Sequence, residues 1–257
     1  MEGKEQPLRL KEFRNLLSSS DLENIPSGIN ENEHLLRFLR FKENPQRAYQ
    51  TFVKYHKFRH SDKELFSKLR PGVLKYVLDG KIFTKQPGND ANGWPVLLLR
   101  CKRWNASGVS VTDIICVTIL LLEEISRRQS SGVSIVIDWD GFGFAQYRQI
   151  TYRTLVRGFA VLQGTLPISF KGIHQLNPSI MFSMVSKIFF SLLSAKLKKR
   201  IHIHGTDLES FAAHIPKSSL PVEYGGTSEE DEDREFMDTL YKNEDYYCKL
   251  TEHFRQT

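Results

Sequence analysis

The segment Val133-Ser-Ile-Val-Ile-Asp-Trp-Asp-Gly-Phe142 (VSIVIDWDGF) contains an apolar run that ends at two aspartates and a glycine. A short, nearly continuous apolar run that ends in turn-forming residues is typical of a strand buried on both faces, as in a parallel sheet. Further segments of this kind lie at 81–84, 95–101, 170–176 and 200–204. The sequence therefore predicts five strands.

Helical patterns of apolar residues lie between these strands, at 111–128, 148–163 and 179–199. Strands that alternate with helices indicate an α/β unit with a largely parallel sheet. The stretch 88–94 between the first two strands is rich in glycine and asparagine, as hairpin loops are. We therefore predict a mixed sheet in which the first pair of strands is antiparallel.

The chain before residue 81 shows only helical patterns. Apolar residues recur at helical spacing within Glu33–Phe41, and Pro45 is placed to open the next helix. We expect three regions: a small all-helical N-terminal domain at 1–75, an α/β domain at 76–226 and an acidic C-terminal tail at 227–257. The acidic run Glu229–Glu235 is expected to stay solvated.

The composition, with 40% hydrophobic and 26% charged residues, is that of an ordinary globular protein. No apolar run reaches the ~18 residues that a membrane span needs, and the charged first residues lack the apolar core of a signal peptide. Cys101, Cys116 and Cys248 are scattered, which predicts neither disulfides nor a metal site. These features favour a reduced, cytoplasmic location.

Charge is distributed unevenly along the chain. Residues 164–206 contain six lysines and arginines and no acidic residue, whereas residues 227–257 contain ten acidic and four basic residues, a local charge of −6. A localised positive surface suits a polyanion, either nucleic acid or an anionic membrane. Nucleic-acid binding is disfavoured because the basic residues have aliphatic neighbours.

The pair Asp138 and Asp140 matches the spacing in haloacid-dehalogenase-type phosphatases, where the first aspartate is the nucleophile and the second a general acid. Those enzymes need Thr or Val two residues after the second aspartate, and here Phe142 stands there. They also need a later acidic pair for magnesium, but no carboxylate occurs between Asp140 and Asp207. We expect the aspartates to bind turn amides instead, and a phosphatase using Asp138 stays a remote alternative.

Other catalytic signatures are weak. The stretch Gly141–Gln146 begins like a dinucleotide-binding loop but has Gln146 where a third glycine is needed. His202 and His204 share one face of a strand but have no third metal ligand nearby, so we expect them to be structural. The sequence therefore predicts no catalytic residue, no metal and no enzymatic activity.

The predicted helix Ser179–Lys199 is apolar on two sides. One stripe contains Phe182, Val185, Phe189 and Leu193, and the opposite side contains Ile180, Met184 and Ile188. Such a helix buries both sides or presents one to an apolar partner. The helical spacing of Lys196, Lys199 and Arg200 places them on one face. Apolar surface beside basic residues is typical of peripheral contact with an anionic membrane.

Five stretches resemble motifs of the CRAL-TRIO lipid-binding family and occur in the family's order. They are Glu33-His-Leu-Leu-Arg-Phe-Leu-Arg40, Ile135-Val-Ile-Asp-Trp-Asp-Gly141, Leu166-Pro-Ile-Ser-Phe-Lys-Gly-Ile-His-Gln-Leu-Asn177, Arg200-Ile-His-Ile-His-Gly205 and Leu220-Pro-Val-Glu-Tyr-Gly-Gly226. Within the family, the chain is most similar to the branch of alpha-tocopherol transfer protein, cellular retinaldehyde-binding protein and the clavesins.

The resemblance implies a helical N-terminal domain followed by an α/β/α CRAL-TRIO domain, whose mixed, largely parallel sheet floors an apolar pocket closed by a lid helix. It implies a monomeric, non-enzymatic protein that encloses one hydrophobic lipid, tocopherol-like or retinoid, without a further cofactor or nucleic acid. It also implies reversible exchange of that lipid at phosphoinositide-containing endosomal or other intracellular membranes. Phospholipid or phosphatidylinositol exchange, or lipid-sensing recruitment to membranes, stays open as the alternative.

The resemblance also implies site residues. Positions that match the family's pocket lining are Ile115, Thr118, Leu122, Val133, Ile137, Phe142, Leu162, Leu166, Ile168, Phe170, Ile173, Phe182, Val185, Phe189 and Leu193. Bases expected at a phosphoinositide headgroup are Lys171, Lys196 and Arg200, with Lys198 and Lys199 as extra bases. Ser169 stands where the family has a further base, and Leu122 stands where a tocopherol-binding member has a small polar residue.

Overall fold

A computed structural model of the chain describes residues 2–18, 29–128 and 130–252; the side chains of residues 2–5, 185, 187–189 and 192 lie outside this description. The N-terminal helices are α1 (Glu2–Ser18), α2 (Glu31–Phe41), α3 (Pro45–Ser61), α4 (Lys63–Ser67) and α5 (Lys75–Asp79). The side chains of Asn30 and Asn44 begin α2 and α3, because each accepts a hydrogen bond from a first-turn amide. The described residues before Phe83 contain no strand, as predicted.

One five-stranded sheet forms the centre of the α/β domain. Its strands are β1 (Phe83–Asn89), β2 (Pro95–Arg100), β3 (Gly132–Asp138), β4 (Ser169–Leu176) and β5 (Ile201–Gly205). They lie side by side in chain order, with β1 antiparallel to β2 and each later pair parallel. The predicted mixed, largely parallel sheet is confirmed, and the VSIVID segment forms its middle strand.

The helices that connect the parallel strands lie on one face of the sheet. They are α6 (Val111–Arg127), α7 (Phe144–Tyr147), α8 (Tyr152–Ala160), α9 (Ile180–Leu192) and α10 (Ala195–Lys198). Crossovers between parallel strands are right-handed, so strands that follow one another in a single direction place every crossover on the same side. The opposite face is covered by α11 (Leu208–Ala212) and the segment 220–226, whose Phe211, Leu220 and Tyr224 pack on Val136 and its neighbours.

The predicted helix at 179–199 is two helices in the structure. The backbone of Leu193 is extended (φ −76°, ψ 143°), and the Ser194 hydroxyl begins α10 by accepting a hydrogen bond from the Leu197 amide at 3.3 Å. A serine that caps a new helix competes with continuation of the previous one. Lys196 therefore belongs to a separate turn and does not extend the face of α9 that carries Phe182.

The helical N-terminal region is tied to the α/β domain by a buried ion pair. Arg37 of α2 and Glu123 of α6 are each 1% exposed, and Nη1 of Arg37 donates a hydrogen bond to Oε2 of Glu123. The guanidinium carbon also lies 5.0 Å from the ring centre of Tyr55. Burial lowers the pKa of Arg37, but attraction to Glu123 outweighs it, so the pKa lies above its ordinary value. Arg37 therefore remains charged inside the interface.

The acidic C-terminal region folds onto the rest of the chain. It forms α12 (Arg234–Lys242) and α13 (Glu244–Thr251), which bury Phe236, Leu240, Tyr247 and Leu250 in the main core. Asp231 accepts hydrogen bonds from Arg103, and Asp233 accepts one from Lys85 at 2.7 Å. The expectation that Glu229–Glu235 stays solvated is wrong for these two aspartates, because basic side chains of the α/β domain neutralise them.

Candidate functional site

A cavity lies between the sheet and the crossover helices, and we call it the pocket. Its volume is about 230 Å³, with further open space at its mouth. Its floor is formed by Ile135 and Ile137 of β3, Ile173 and Gln175 of β4, and Ile201 of β5. These are alternate residues of each strand, since successive side chains point to opposite faces of a sheet. Phe182, Ser186 and Phe190 of α9 form part of the opposite wall.

The polar groups of the pocket are few and mostly engaged. The indole Nε1–H of Trp139 donates a hydrogen bond to Oε1 of Gln175 at 2.6 Å. The hydroxyl of Thr154 donates to the Thr151 carbonyl at 2.9 Å, and that of Ser186 donates to its own helix at 3.2 Å. The remaining lining side chains are aliphatic or aromatic. Such a pocket suits a largely apolar molecule with a small number of polar atoms.

Five of the fifteen expected pocket residues line the pocket. They are Ile115, Ile137, Leu162, Ile173 and Phe182. Seven more are buried in the surrounding core: Leu122, Val133, Phe142, Leu166, Ile168, Phe170 and Leu193. Thr118 is half-buried and donates its hydroxyl proton to the Ile114 carbonyl at 2.8 Å. The side chains of Val185 and Phe189 lie outside the described part of the chain.

Several residues that line the pocket are absent from the set expected from the sequence, among them Ile135, Trp139 and Gln175. Strand periodicity contained the signal for two of them, because Ile135 and Gln175 stand two residues from Ile137 and Ile173 on the same strands. Trp139 could not be found this way, since it follows the last residue of β3 and its orientation is set by the turn.

Three large apolar side chains on α9 and its neighbour α7 are exposed. The side chains of Ile180, Met184 and Phe144 are 79%, 50% and 65% exposed. None of the described helices is long and apolar enough to cross a membrane. The three residues instead form a local apolar surface beside the pocket wall, of the kind that contacts an apolar phase from one side.

Several basic side chains lie on β4, on α10 and directly before β5. Lys196, Lys198 and Lys199 are exposed, and half-buried Arg200 donates a hydrogen bond to the Phe170 carbonyl at 2.5 Å. Arg200 lies near Lys171, because Phe170 directly precedes Lys171 in β4. Burial, and then repulsion from Arg200 and Lys196, lowers the pKa of Lys171. We call Lys171, Lys196, Lys198, Lys199 and Arg200 the basic surface.

A lysine of the N-terminal region extends the basic surface. Burial, followed by repulsion from Lys196, lowers the pKa of Lys42. Lys42 follows α2 directly, so it lies far from Lys196 in sequence and close to it in space. No pattern in the sequence indicates this proximity, because it depends on how the two regions dock.

Asp138 is enclosed by hydrogen bonds at the end of β3. It accepts hydrogen bonds from the Tyr224 hydroxyl at 2.8 Å, the Asn177 amide group at 2.9 Å and the Asp140 backbone amide at 3.0 Å. Burial, and then the Asp138 carboxylate, raise the pKa of Tyr224. The carboxylate joins the ends of β3 and β4 to the segment 220–226. This is the turn-binding role expected of it.

Four histidines lie together on the sheet face opposite the pocket. They are His174, His202, His204 and His214, with ring centres 4.4–6.2 Å apart. Burial, and then repulsion among the rings, lowers the pKa of His174 to about 3. Among the described residues, no group of three or more His, Cys, Asp or Glu could hold a metal ion. The rings instead pack with Phe211 as part of the fold.

The fold and motifs have counterparts among known proteins. The family model of the CRAL/TRIO domain matches residues 80–226. The chain belongs to the CRAL/TRIO family. It is 32% identical to "Alpha-tocopherol transfer protein-like" of Homo sapiens over 243 residues. These residues cover 93% of this chain and 68% of the relative. It is also 32% identical to "Clavesin-1" of Xenopus laevis over 204 residues, 75% of this chain and 60% of that protein.

The CRAL/TRIO fold also appears in a solved structure. The crystal structure of Sfh5 matches with a TM-score of 0.51 at 10% sequence identity, over 96% of this chain and 99% of that chain. At this identity the likeness concerns the fold alone. The family resemblance predicted from the five motifs is confirmed, and lipid binding is the class of activity that agrees with these relatives.

Proposed function

We propose that the chain is a non-enzymatic carrier that encloses one hydrophobic lipid in the pocket and exchanges it at anionic membranes. The observation that carries this proposal is the pocket itself, an apolar cavity of about 230 Å³ that lies between the sheet and α9 and continues into an open mouth. The name of the 32% identical human relative supports a tocopherol-like ligand, and a retinoid suits the same lining. We further propose that the carrier is monomeric and works in the cytoplasm, on the surface of endosomal or other intracellular membranes.

An apolar pocket is sufficient for tight binding. A lipid of roughly 30 heavy atoms, at about −0.3 kcal/mol per atom, binds with about −9 kcal/mol. This corresponds to a sub-micromolar dissociation constant without any charged anchor. Release, not binding, is then the step that needs help, and opening of a lid of this kind takes microseconds to milliseconds.

The surface around α9 supports a mechanism for release. The basic surface would dock on anionic or phosphoinositide headgroups, each base contributing about 1 kcal/mol. Exposed Ile180, Met184 and Phe144 would then enter the membrane interface. Because α9 is separated from α10 by the extended Leu193, it can move without carrying the bases of α10 with it. Membrane contact thus favours the open pocket.

Filling the pocket should abolish binding without unfolding the chain. Gly158 of α8 lines the pocket, and a Cβ at this position would meet no atom within 4 Å. We expect Gly158→Phe to weaken lipid binding at least about tenfold, a loss of about 1.4 kcal/mol or more, because the ring occupies the ligand's space. Native mass spectrometry and fluorescence titration with tocopherols, retinoids, sterols and phospholipids would measure this.

Gly158→Ala is the matched control and should bind as the unaltered chain does. If folded Gly158→Phe bound lipid equally well, the pocket would not be the binding site. A tocopherol or retinoid at one per chain fixes the ligand class, whereas a phospholipid would favour the exchanger or lipid-sensing alternative.

Reversing two charges of the basic surface should separate binding from transfer. The double variant Lys196→Glu, Arg200→Glu is expected to keep its lipid affinity but to transfer lipid to anionic vesicles about thirtyfold more slowly, from about 1 kcal/mol per base. Transfer between donor and phosphoinositide-containing acceptor vesicles would be followed at moderate salt. Lys242→Glu, Lys249→Glu changes the net charge equally on α12 and α13, and should transfer normally. Equal rates in both double variants would refute docking through the basic surface.

A further inference from the structure

Gln175 is the most deeply buried polar side chain that faces the pocket. It is the seventh residue of β4, two residues after Ile173, so its side chain points to the same face of the sheet. Only 5% of the residue is exposed. An amide buried among aliphatic side chains is costly unless its hydrogen-bonding atoms have partners.

The orientation of the Gln175 amide is fixed by Trp139. An indole N–H can only donate a hydrogen bond, so the amide atom 2.6 Å from Nε1 of Trp139 has to be the carbonyl oxygen. The Nε2 group is consequently the end that is left for other partners. Among the described residues it has no hydrogen-bond partner, whereas the hydroxyls of Thr154 and Ser186 already donate to backbone oxygens.

Neither Leu122 nor Thr118 of α6 offers a substitute for this donor. Leu122 is fully buried in the core and is not among the residues that line the pocket. Thr118 directs its hydroxyl proton to the Ile114 carbonyl. Of the groups on α6 and the sheet floor, the Gln175 amide is therefore the available donor.

We propose that Gln175 is a specificity-determining residue that selects lipids carrying an oxygen acceptor, such as a hydroxyl or carbonyl group, at the end of the pocket beside Trp139. This inference rests on the proposed function. A bound oxygen there completes the hydrogen bonds of the amide, while a pure hydrocarbon leaves Nε2 buried without a partner. Sites built to bind a polar group reject analogues that lack it for this reason.

Matched ligand pairs test the inference. Retinol and its deoxy analogue, and phytanol and phytane, share a carbon skeleton and differ in one oxygen. We expect the unaltered chain to bind the oxygenated member of a pair at least about tenfold more tightly, equivalent to about 1.4 kcal/mol. Gln175→Leu should reduce this preference to about twofold or less, chiefly by weakening the oxygenated ligand. Ser183→Ala, which alters an exposed serine of α9 outside the pocket lining, should keep the preference.

The outcomes separate this inference from the proposed function. Binding of both members of each pair with equal affinity by the unaltered chain would overturn the role of Gln175 and leave the carrier function standing. If Gln175→Leu kept the full preference for the oxygenated ligand, the role of Gln175 would also be overturned and the carrier function would stand. If no lipid binds the unaltered chain, both fail together. Gln175→Met, close to glutamine in volume, serves as the second variant should Gln175→Leu fold poorly, and the same loss of preference is expected.

Discussion

Replacing Arg37 with methionine is expected to lower the free energy of unfolding by about 3–5 kcal/mol, because it leaves the carboxyl group of Glu123 buried without its partner. Both residues are 1% exposed, and Glu123 accepts the hydrogen bond from Nη1 of Arg37. The substitution also removes the guanidinium from the ring of Tyr55. Urea unfolding followed by far-ultraviolet circular dichroism would measure the change.

The double variant Arg37→Met, Glu123→Leu is the informative control. It removes both charges and keeps apolar volume in the interface, so it should recover most of the lost stability. A double variant as unstable as Arg37→Met would show that the loss comes from packing around Arg37 and not from the stranded carboxylate. Lys75→Met, at an exposed ion pair with Asp79, should change stability by less than about 1 kcal/mol.

A methyl group at Gly226 is expected to cost about 3 kcal/mol or more, or to prevent folding. A Cβ built there would lie 1.9 Å from the Leu220 carbonyl oxygen and 2.4 Å from its carbon. That oxygen also accepts a hydrogen bond from the Ser228 amide at 3.0 Å, so the backbone of Leu220 is held in place. Thermal melting of Gly226→Ala would show the loss as a large fall in the midpoint.

Gly158→Ala is the control for the melting midpoint of Gly226→Ala. Its Cβ meets nothing within 4 Å, and alanine in a helix is favoured over glycine by up to about 1 kcal/mol. Its melting midpoint should therefore stay equal or rise. A stable, cooperatively folding Gly226→Ala would mean that the segment 220–226 can open, in which case the contact between Tyr224 and Asp138 is not a fixed part of the fold.

Much of the fold could be predicted because its signals are local. The apolar run of β3, its turn-forming end and the helical spacing of α6 are properties of short stretches, and they suffice for an α/β unit. The break at Leu193 was not predicted, because apolar residues continue through it and only the Ser194 cap marks the new helix. The docked α12 was missed because its acidic neighbours suggest a solvated tail until their basic partners on distant elements are known.

The candidate site was less predictable than the fold. Expected pocket residues such as Leu122 and Phe170 would be buried both in the core and in the pocket lining. Only the three-dimensional arrangement shows that these two belong to the core. The partnership of Trp139 with Gln175 joins residues from two strand ends. The proximity of Lys42 to the basic surface depends on domain docking. None of these relations follows from spacing along the chain.

Two of the long-range contacts described above also bear on how the chain reaches its fold. Arg37 and Glu123 are separated by 86 residues, and so are Asp138 and Tyr224. The two intervening loops do not overlap, so the first can close during synthesis before the second has left the ribosome. Each closure carries the entropic cost of a long loop, which slows folding. The contact between Arg37 and Glu123 can thus form without the second loop, which contains the pocket-floor strands β4 and β5.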